Sequence, residues 1–504
     1  MIQKLYSFIK IKLLNFFCKR KTYPMVNRIS DVEQPNYGLL DSFELKGYWF
    51  LPTSKNIKVN GILRYSKGEI SLETMGSIKD GSTDMFSVFR DVNDSSGLIE
   101  SILGFTTSGE LITLTNCYVS NISSGTGLSV YHYGGSQLYI GEHYETKDKI
   151  KFNHVQLEYS NLHLWYPFTG IKVNMDELIT KNTIKVEHKT IETVSFDFDE
   201  NFKIELQKKP SYDKDHDLDK FTIKETTMLT ISNSELNTFS AFSNVHLCCK
   251  HFLMLGMLNT VHPLKVTGWV GNGSKTVHIF PNWRLYEKIP KIEPHKMLFL
   301  FSDIKDDFTA IFQRWVKFWL EFKDIITVYY STVLDQSFTT TEIQFQRIVQ
   351  VLEGYHRQKY PSDTKMADEE YDKMIEDMKS KLKDNKKEIE FIDTLKVMGN
   401  SPNLEHRLSE LVKKCPLVFV DVKTEKPIFT QKIVKTRNYF AHSIESLKEK
   451  AVTDARELFY LKNEMMILTE SLFISELILS ESKSNQLIEK IRETRNYAKN
   501  HPMS

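Results

Sequence analysis

Apolar and polar residues alternate with a period of two along most of the chain from Phe43 to about Ser234. The alternation is plain in Ile57–Ser66, Glu69–Ile78 and Glu110–Ser123, and it predicts half-buried strands. Turn residues separate the runs: Ser66-Lys67-Gly68, Asn93 to Gly97, Ser108-Gly109 and Gly134-Gly135. Longer strands follow in 151–168, 183–198, 201–210 and 221–232. Many short strands with polar turns imply a sandwich or barrel-like β domain. Lys208 to Lys220 reads as an exposed charged loop. Its alternating Asp213, Asp215, Asp217 and Asp219 lack the glycine and closing glutamate of a calcium loop.

The period changes near Ser234. Ser234 to Asn259 reads as one helix with Ser234 as N-cap. Two strands, 263–271 and 275–280, follow it, and then an amphipathic helix from Asp303 to Phe322 with Asp303 as its cap. From Thr339 the pattern is helical to the end. Thr339–Tyr360 is amphipathic. Met366–Lys396 is highly charged, with acid-to-lysine spacings of four such as Asp377 to Lys381, and is expected to extend into solvent. Asn403–Pro416, a helix from near Thr430 to Ser443, the apolar stretch 446–480 and 484–500 complete a bundle of five or six helices. The fold class is therefore α+β, a β-rich N-terminal domain followed by an all-α bundle. The expected division is a tail over 1–24, a β-rich domain over 25–330 closed by a mixed part over 235–330, and the bundle over 331–504.

Composition narrows the reading. The 504 residues are 41% hydrophobic and 26% charged, as in ordinary folded proteins, and exceed one domain core. A formal net charge of +1 gives no global signal for nucleic acid, so any RNA contact rests on a local patch. The five cysteines, Cys18, Cys117, Cys248, Cys249 and Cys415, are scattered and odd in number, which argues for a reducing compartment. Cys248, Cys249 and His251 are close together but on an apolar stretch, where cysteines serve as small core residues. His132, His143, His154 and His163 recur along strands without metal-ligand spacing. No metal or other cofactor is expected. No run of apolar residues is long enough to span a membrane, so stable insertion is not expected. The first 24 residues mix Leu, Ile and Phe with six basic residues. They read as a poorly ordered tail or as sequence upstream of a start at Met25, with a basic amphipathic helix on a membrane surface as the alternative.

Chemistry concentrates in Thr436-Arg437-Asn438-Tyr439-Phe440-Ala441-His442-Ser443. Arginine, a polar residue, three more positions and histidine is a weak pattern alone. Its setting strengthens it: a predicted helix end, preceded by Lys423, Lys426, Lys432 and Lys435 and followed by a long apolar helix. On a regular helix five residues of separation put Arg437 and His442 roughly 140° apart and about 7.5 Å along the axis. They share a site only if the helix end is distorted near His442 or if two copies meet. The bland alternative is a surface cation and a helix-end histidine that offsets the dipole. Glu353, His356 and Arg357 form a second polar group that either faces the motif or lines a solvated helix face. A second Arg-Asn-Tyr, at Arg495 to Tyr497, has His501 one position too late and reads as coincidence.

Val434–Ser443, with the segment 446–473 after it, resembles the HEPN domain of ApeA-type proteins, a bacterial anti-phage defence family. Phe345–Tyr360 resembles the first helix of that domain. Phe43–Gly76, with its Gly-Tyr-Trp-Phe-Leu-Pro opening, is similar to the start of the ApeA N-terminal domain. The resemblance covers both ends of the chain beyond Met25.

That resemblance implies a cytoplasmic, metal-independent endoribonuclease of abortive infection. Its substrate would be RNA, with transfer RNA as one candidate. RNA carries its own nucleophile, the 2'-OH. His442 would remove that proton and Arg437 would hold the phosphate, with Lys435 in support. Asn438 would bind the phosphate or orient the histidine. The products would be a 2',3'-cyclic phosphate and a 5'-OH. The resemblance further implies a homodimer through the HEPN domain and an N-terminal domain that answers to an unidentified phage-derived trigger. Two other readings stand beside it: a non-catalytic binding or sensor protein that dimerises through its HEPN domain, and a nucleotide-binding regulatory module.

Overall fold

The computed structural model describes residues 37–83, 98–124, 128–175, 182–214, 221–273, 275–285, 289–382, 386–419 and 426–500. The 1–24 tail, the turn at Asn93–Gly97, Lys423 and His501 lie outside them. Strands β1 (Ser42–Phe50), β2 (Val59–Ser66), β3 (Glu69–Met75), β4 (Leu98–Thr106), β5 (Leu111–Ser124) and β6 (Ser129–Gly134) close a barrel in the order β1-β2-β3-β6-β5-β4, antiparallel throughout. Inward positions alternate with outward ones, as in β2, where Val59, Leu63 and Tyr65 are buried. Trp49 fills the barrel. Its ring lies so close to Gly104 that a Cβ there would meet Trp49 carbon atoms at 2.2 Å, so glycine is required.

β5 belongs to two neighbourhoods. Beyond Asn116, in the left-handed region, its second half pairs with β6; its first half pairs with β7 (Gln137–Ile140). The sheet continues as β7-β15-β14-β8-β13-β12-β11, with β8 (Lys151–Tyr159), β11 (Val194–Asp197), β12 (Phe202–Lys214), β13 (Phe221–Thr238), β14 (Pro263–Trp269) and β15 (Thr276–Phe280). β9 (Ile171–Asn174) and β10 (Lys185–His188) form a separate hairpin. The short helix α1 spans Leu162–Trp165.

Helix α2 (Phe239–Met257) starts five residues later than the sequence pattern predicts. Residues 234–238 stay in β13 because β8 takes up its end: after a register shift Asn237 pairs with Phe152 and Thr238 with Lys151. Tertiary pairing outweighs local helix propensity there. The charged segment from Lys208 likewise remains strand to Lys214, paired across β12 and β13. α2 is apolar around most of its circumference because it is largely covered, with Phe242, Val245, Cys248, Cys249, Phe252 and Leu255 buried and Ser240 and Asn244 exposed near its start. Burial pushes both thiols up. Tyr159 hydrogen-bonds His246 at 2.7 Å, and Trp319 donates to His251 at 3.1 Å.

The helix expected from Asp303 is broken. A turn, α3 (Phe301–Ile304), precedes α4 (Phe308–Glu321). Asp303 accepts from Leu300 N at 2.8 Å and so caps the turn, not the long helix. α5 (Lys323–Leu334) runs through residue 330, where the two parts were expected to divide. α4 and α5 join them: Trp315 donates to the Cys248 carbonyl at 3.0 Å, and Phe318 packs edge-on against Phe473 at 5.4 Å.

The helical part contains α6 (Thr341–Lys359), α7 (Asp368–Leu382), α8 (Lys386–Met398), α9 (Leu404–Lys414), α10 (Lys426–His442), α11 (Ala455–Leu477) and α12 (Glu481–Asn500). These are seven α-helices among the described residues, against the five or six expected. The extra one arises because the charged segment after Met366 folds on itself. α7 and α8 pack through Tyr371, Ile375 and Ile392. The side chain of Asn400 ties the two feet of this hairpin together, bonding Met366 and Asp368. No helix among the described residues is long and apolar enough to cross a membrane.

Candidate active site

α10 buries Phe429, Thr430, Ile433 and Thr436, spaced at one helical face. Arg437 and Asn438 are the next two positions, so they lie at the rim of that face and are half-buried. His442, on the last residue of the helix, is exposed. The helix ends because Ser443 adopts a left-handed backbone (φ 52°) and its N–H turns back to the Tyr439 carbonyl at 2.8 Å. A 3-10 turn over Glu445–Lys450 follows. The returning chain is fastened to α10 by Val452 N–H, which donates to the buried Thr436 Oγ1 at 2.9 Å. Asp454 then caps α11 through the N–H groups of Arg456 and Glu457.

Arg437 Nη1 donates to Asn438 Oδ1 at 3.1 Å and to His442 Nε2 at 3.0 Å. The two motif residues therefore meet within one chain. Helical geometry separates their backbones, but the arginine side chain is long enough to span the gap, so neither a distorted helix nor a second copy is needed for contact. A guanidinium can only donate, which makes Nε2 the acceptor and leaves the ring proton of the neutral imidazole on Nδ1. The lone pair a general base would use is covered by the cation that would bind phosphate. Lys435 is half-buried on the same helix. Lys448 pairs with Glu445 at 3.0 Å and is raised by that carboxylate and by the nearby Tyr439. No residue pattern announced the Thr436 anchor or the approach of Lys448, because both depend on how the chain returns after the helix.

Glu353, His356 and Arg357 have other partners. Arg357 pairs with Glu353 at 2.7 Å. His356 is buried, and Arg407 donates to its Nδ1 at 3.1 Å; burial and that cation push its pKa down. α6 and α11 run parallel, since Gln344 meets Lys462 and Tyr355 meets Glu476. His356 therefore lies toward the C-terminal end of α11, whereas the motif leads into its N-terminal end. Arg495 of the second Arg-Asn-Tyr is engaged elsewhere: its Nε donates to the buried Glu470 at 3.0 Å. Among the described residues no group of His, Cys, Asp and Glu is arranged to hold a metal ion.

Two family models match the chain. Residues 44–315 match ApeA N-terminal domain 1, and residues 347–483 match Apea-like HEPN. No curated protein and no solved structure matches. The second match contains the whole of α10 and its Arg437–His442 pair. HEPN domains are generally ribonucleases, which puts the protein in the nuclease class at a coarse level. The chain belongs to the ApeA family and is an anti-phage HEPN-type protein with an ApeA N-terminal domain ahead of its helical bundle.

Proposed function

We propose that this protein is a metal-independent endoribonuclease of the cytoplasm, held quiet by its N-terminal part until a phage-derived trigger releases it, and that it then cuts RNA, with transfer RNA among its candidate substrates. The observation that carries the reading is the 3.0 Å contact between Arg437 Nη1 and His442 Nε2, with Asn438 beside it. It supports a site that is closed in the absence of substrate. A phosphodiester draws Arg437 off the imidazole, because a charged oxygen is the better partner for a guanidinium. Nε2 is then free to accept the proton of the adjacent 2'-OH.

The 2'-oxygen attacks phosphorus, the O2'–P bond forms and the P–O5' bond breaks. Arg437 holds the charge that builds on the non-bridging oxygens. The departing 5'-oxygen takes up a proton, leaving a 5'-OH and a 2',3'-cyclic phosphate. In-line attack puts the 5'-oxygen on the far side of phosphorus from the 2'-oxygen, away from the histidine that took the proton, so a second motif across a two-fold interface is a natural source of the leaving group's proton. This favours the homodimer. Incubating purified protein with total RNA in EDTA, beside His442→Ala, tests the reading. Metal-independent cleavage that depends on His442 supports it; cleavage equal in the variant removes it in favour of a non-catalytic binding role for the motif.

A further inference from the structure

A cavity of about 490 Å³ lies in the N-terminal part and serves no step of the proposed cleavage. Its floor is apolar. Phe50 and Leu103 are cross-strand neighbours on β1 and β4, and both are buried. One wall is the turn after β1, which brings Lys55, Asn56 and Lys58. The other is the segment after β7, with His143, Glu145 and Lys149. Lys149 donates to one oxygen of Glu145 at 2.7 Å and Lys55 donates to the other, so the walls are joined by an ion pair. These lysines hold the Glu145 carboxyl down at about 2. Lys58 has no ion-pair partner among the described residues. His143 Nε2 donates to the Gly104 carbonyl at 2.7 Å, and the ring stands edge-on to Phe50.

Two ammonium groups thus meet one carboxylate, and a third lysine, Lys58, lines the same concavity, which is of the size that takes small molecules. Lysines from two walls converging on one space suit a polyanion, since ammonium groups act as movable point charges toward phosphate. The apolar floor suits a ligand with a flat or greasy part as well. We propose that this cavity binds a small organic phosphate of nucleotide size, with its phosphates on Lys55, Lys58 and Lys149 and its ring against Phe50 and Leu103. Glu145 occupies Lys55 and Lys149 until a phosphate arrives. An arriving phosphate competes for Lys55, which loosens the tie between the two walls. A rearrangement follows at the end of the barrel.

The test uses the full-length protein and reads binding, not RNA cleavage, so its failure is separate from failure of the ribonuclease reading. Calorimetry and thermal unfolding are run with each of the four ribonucleoside triphosphates, with adenosine and inorganic phosphate as the apolar and anionic halves. At least one triphosphate is expected to bind and raise the melting temperature, with both halves weaker. Lys58→Ala and Lys149→Ala are each expected to weaken binding about tenfold. Lys58 is exposed and unpaired, so its variant keeps the fold, which circular dichroism checks. No binding of any triphosphate at about 1 mM, or unchanged affinity in both variants, overturns the proposal.

Discussion

Tyr329 on α5 donates its hydroxyl to Glu470 on α11 at 2.7 Å, and the same carboxylate is held by Arg495 on α12. Glu470 is 2% exposed, so an anion sits in the seam where the linking helices meet the bundle. Removing one partner of such a pair strands a buried charge. Arg495→Met is expected to destabilise the protein by about 3–5 kcal/mol, read from urea unfolding. Glu470→Gln in the same chain should restore part of that loss. A loss below about 1 kcal/mol for the single variant would show that Glu470 finds another partner.

Lys462 provides a pH signature. It is 2% exposed, donates to Gln344 at 2.9 Å, and burial, followed by repulsion from Arg495, pushes its pKa down to about 8. Its unfolded value is about 10.5, so the unfolded chain binds more protons between those limits and stability gains from this residue as pH rises through the window. The penalty is complete below pH 8 and gone above 10.5. Lys462→Met should therefore be the more stable protein at pH 7, by up to about 3 kcal/mol, with the gap closing toward pH 10.5. A gap that is constant with pH would contradict this.

The same residues show what the sequence could and could not disclose. Arg437-Asn438-Tyr439 and Arg495-Asn496-Tyr497 are identical as text. One ends a helix with His442 in reach, and the other is locked to Glu470, a partner 25 positions away. Histidine spacing hinted at the difference; the buried partner could not be read. Strand alternation announced the β domain, yet the barrel closes through β5 meeting both β4 and β6, a non-local pairing that no local period encodes. The late start of α2 has the same origin, a neighbouring strand that claims Asn237 and Thr238. Backbone spacing alone holds Arg437 and His442 apart, and the reach of the arginine side chain closes that gap.

Thr436 gives a way to disturb the site without touching it. Its hydroxyl accepts from Val452 N–H and pins the segment that carries Lys448 back onto α10. Thr436→Val keeps the shape and removes the acceptor. It should cost about 1–3 kcal/mol of stability and reduce RNA cleavage while the circular dichroism spectrum stays unchanged. Full activity in the variant would show that the anchor does not position the site.

A two-fold dimer through the helical part is expected in solution, with the motif of one protomer facing that of its partner. Light scattering at micromolar concentration checks the state, and a cross-link between cysteines placed at exposed Ala441 of both copies checks the geometry. A monomer, or a dimer whose motifs cannot be cross-linked, would contradict the expectation.

Arg437 and His442 are expected to cut RNA without a metal. The most direct measurement is single-turnover cleavage of RNA in EDTA by triggered wild-type protein, Arg437→Ala and His442→Ala, with the new ends sequenced. Wild type should leave 2',3'-cyclic phosphate and 5'-OH ends. Each variant should be slower by at least about 100-fold, the scale for losing one group that stabilises the transition state, with an unchanged fold. Wild-type cleavage that vanishes in EDTA and returns with magnesium, or either variant cutting at the wild-type rate, would contradict the account.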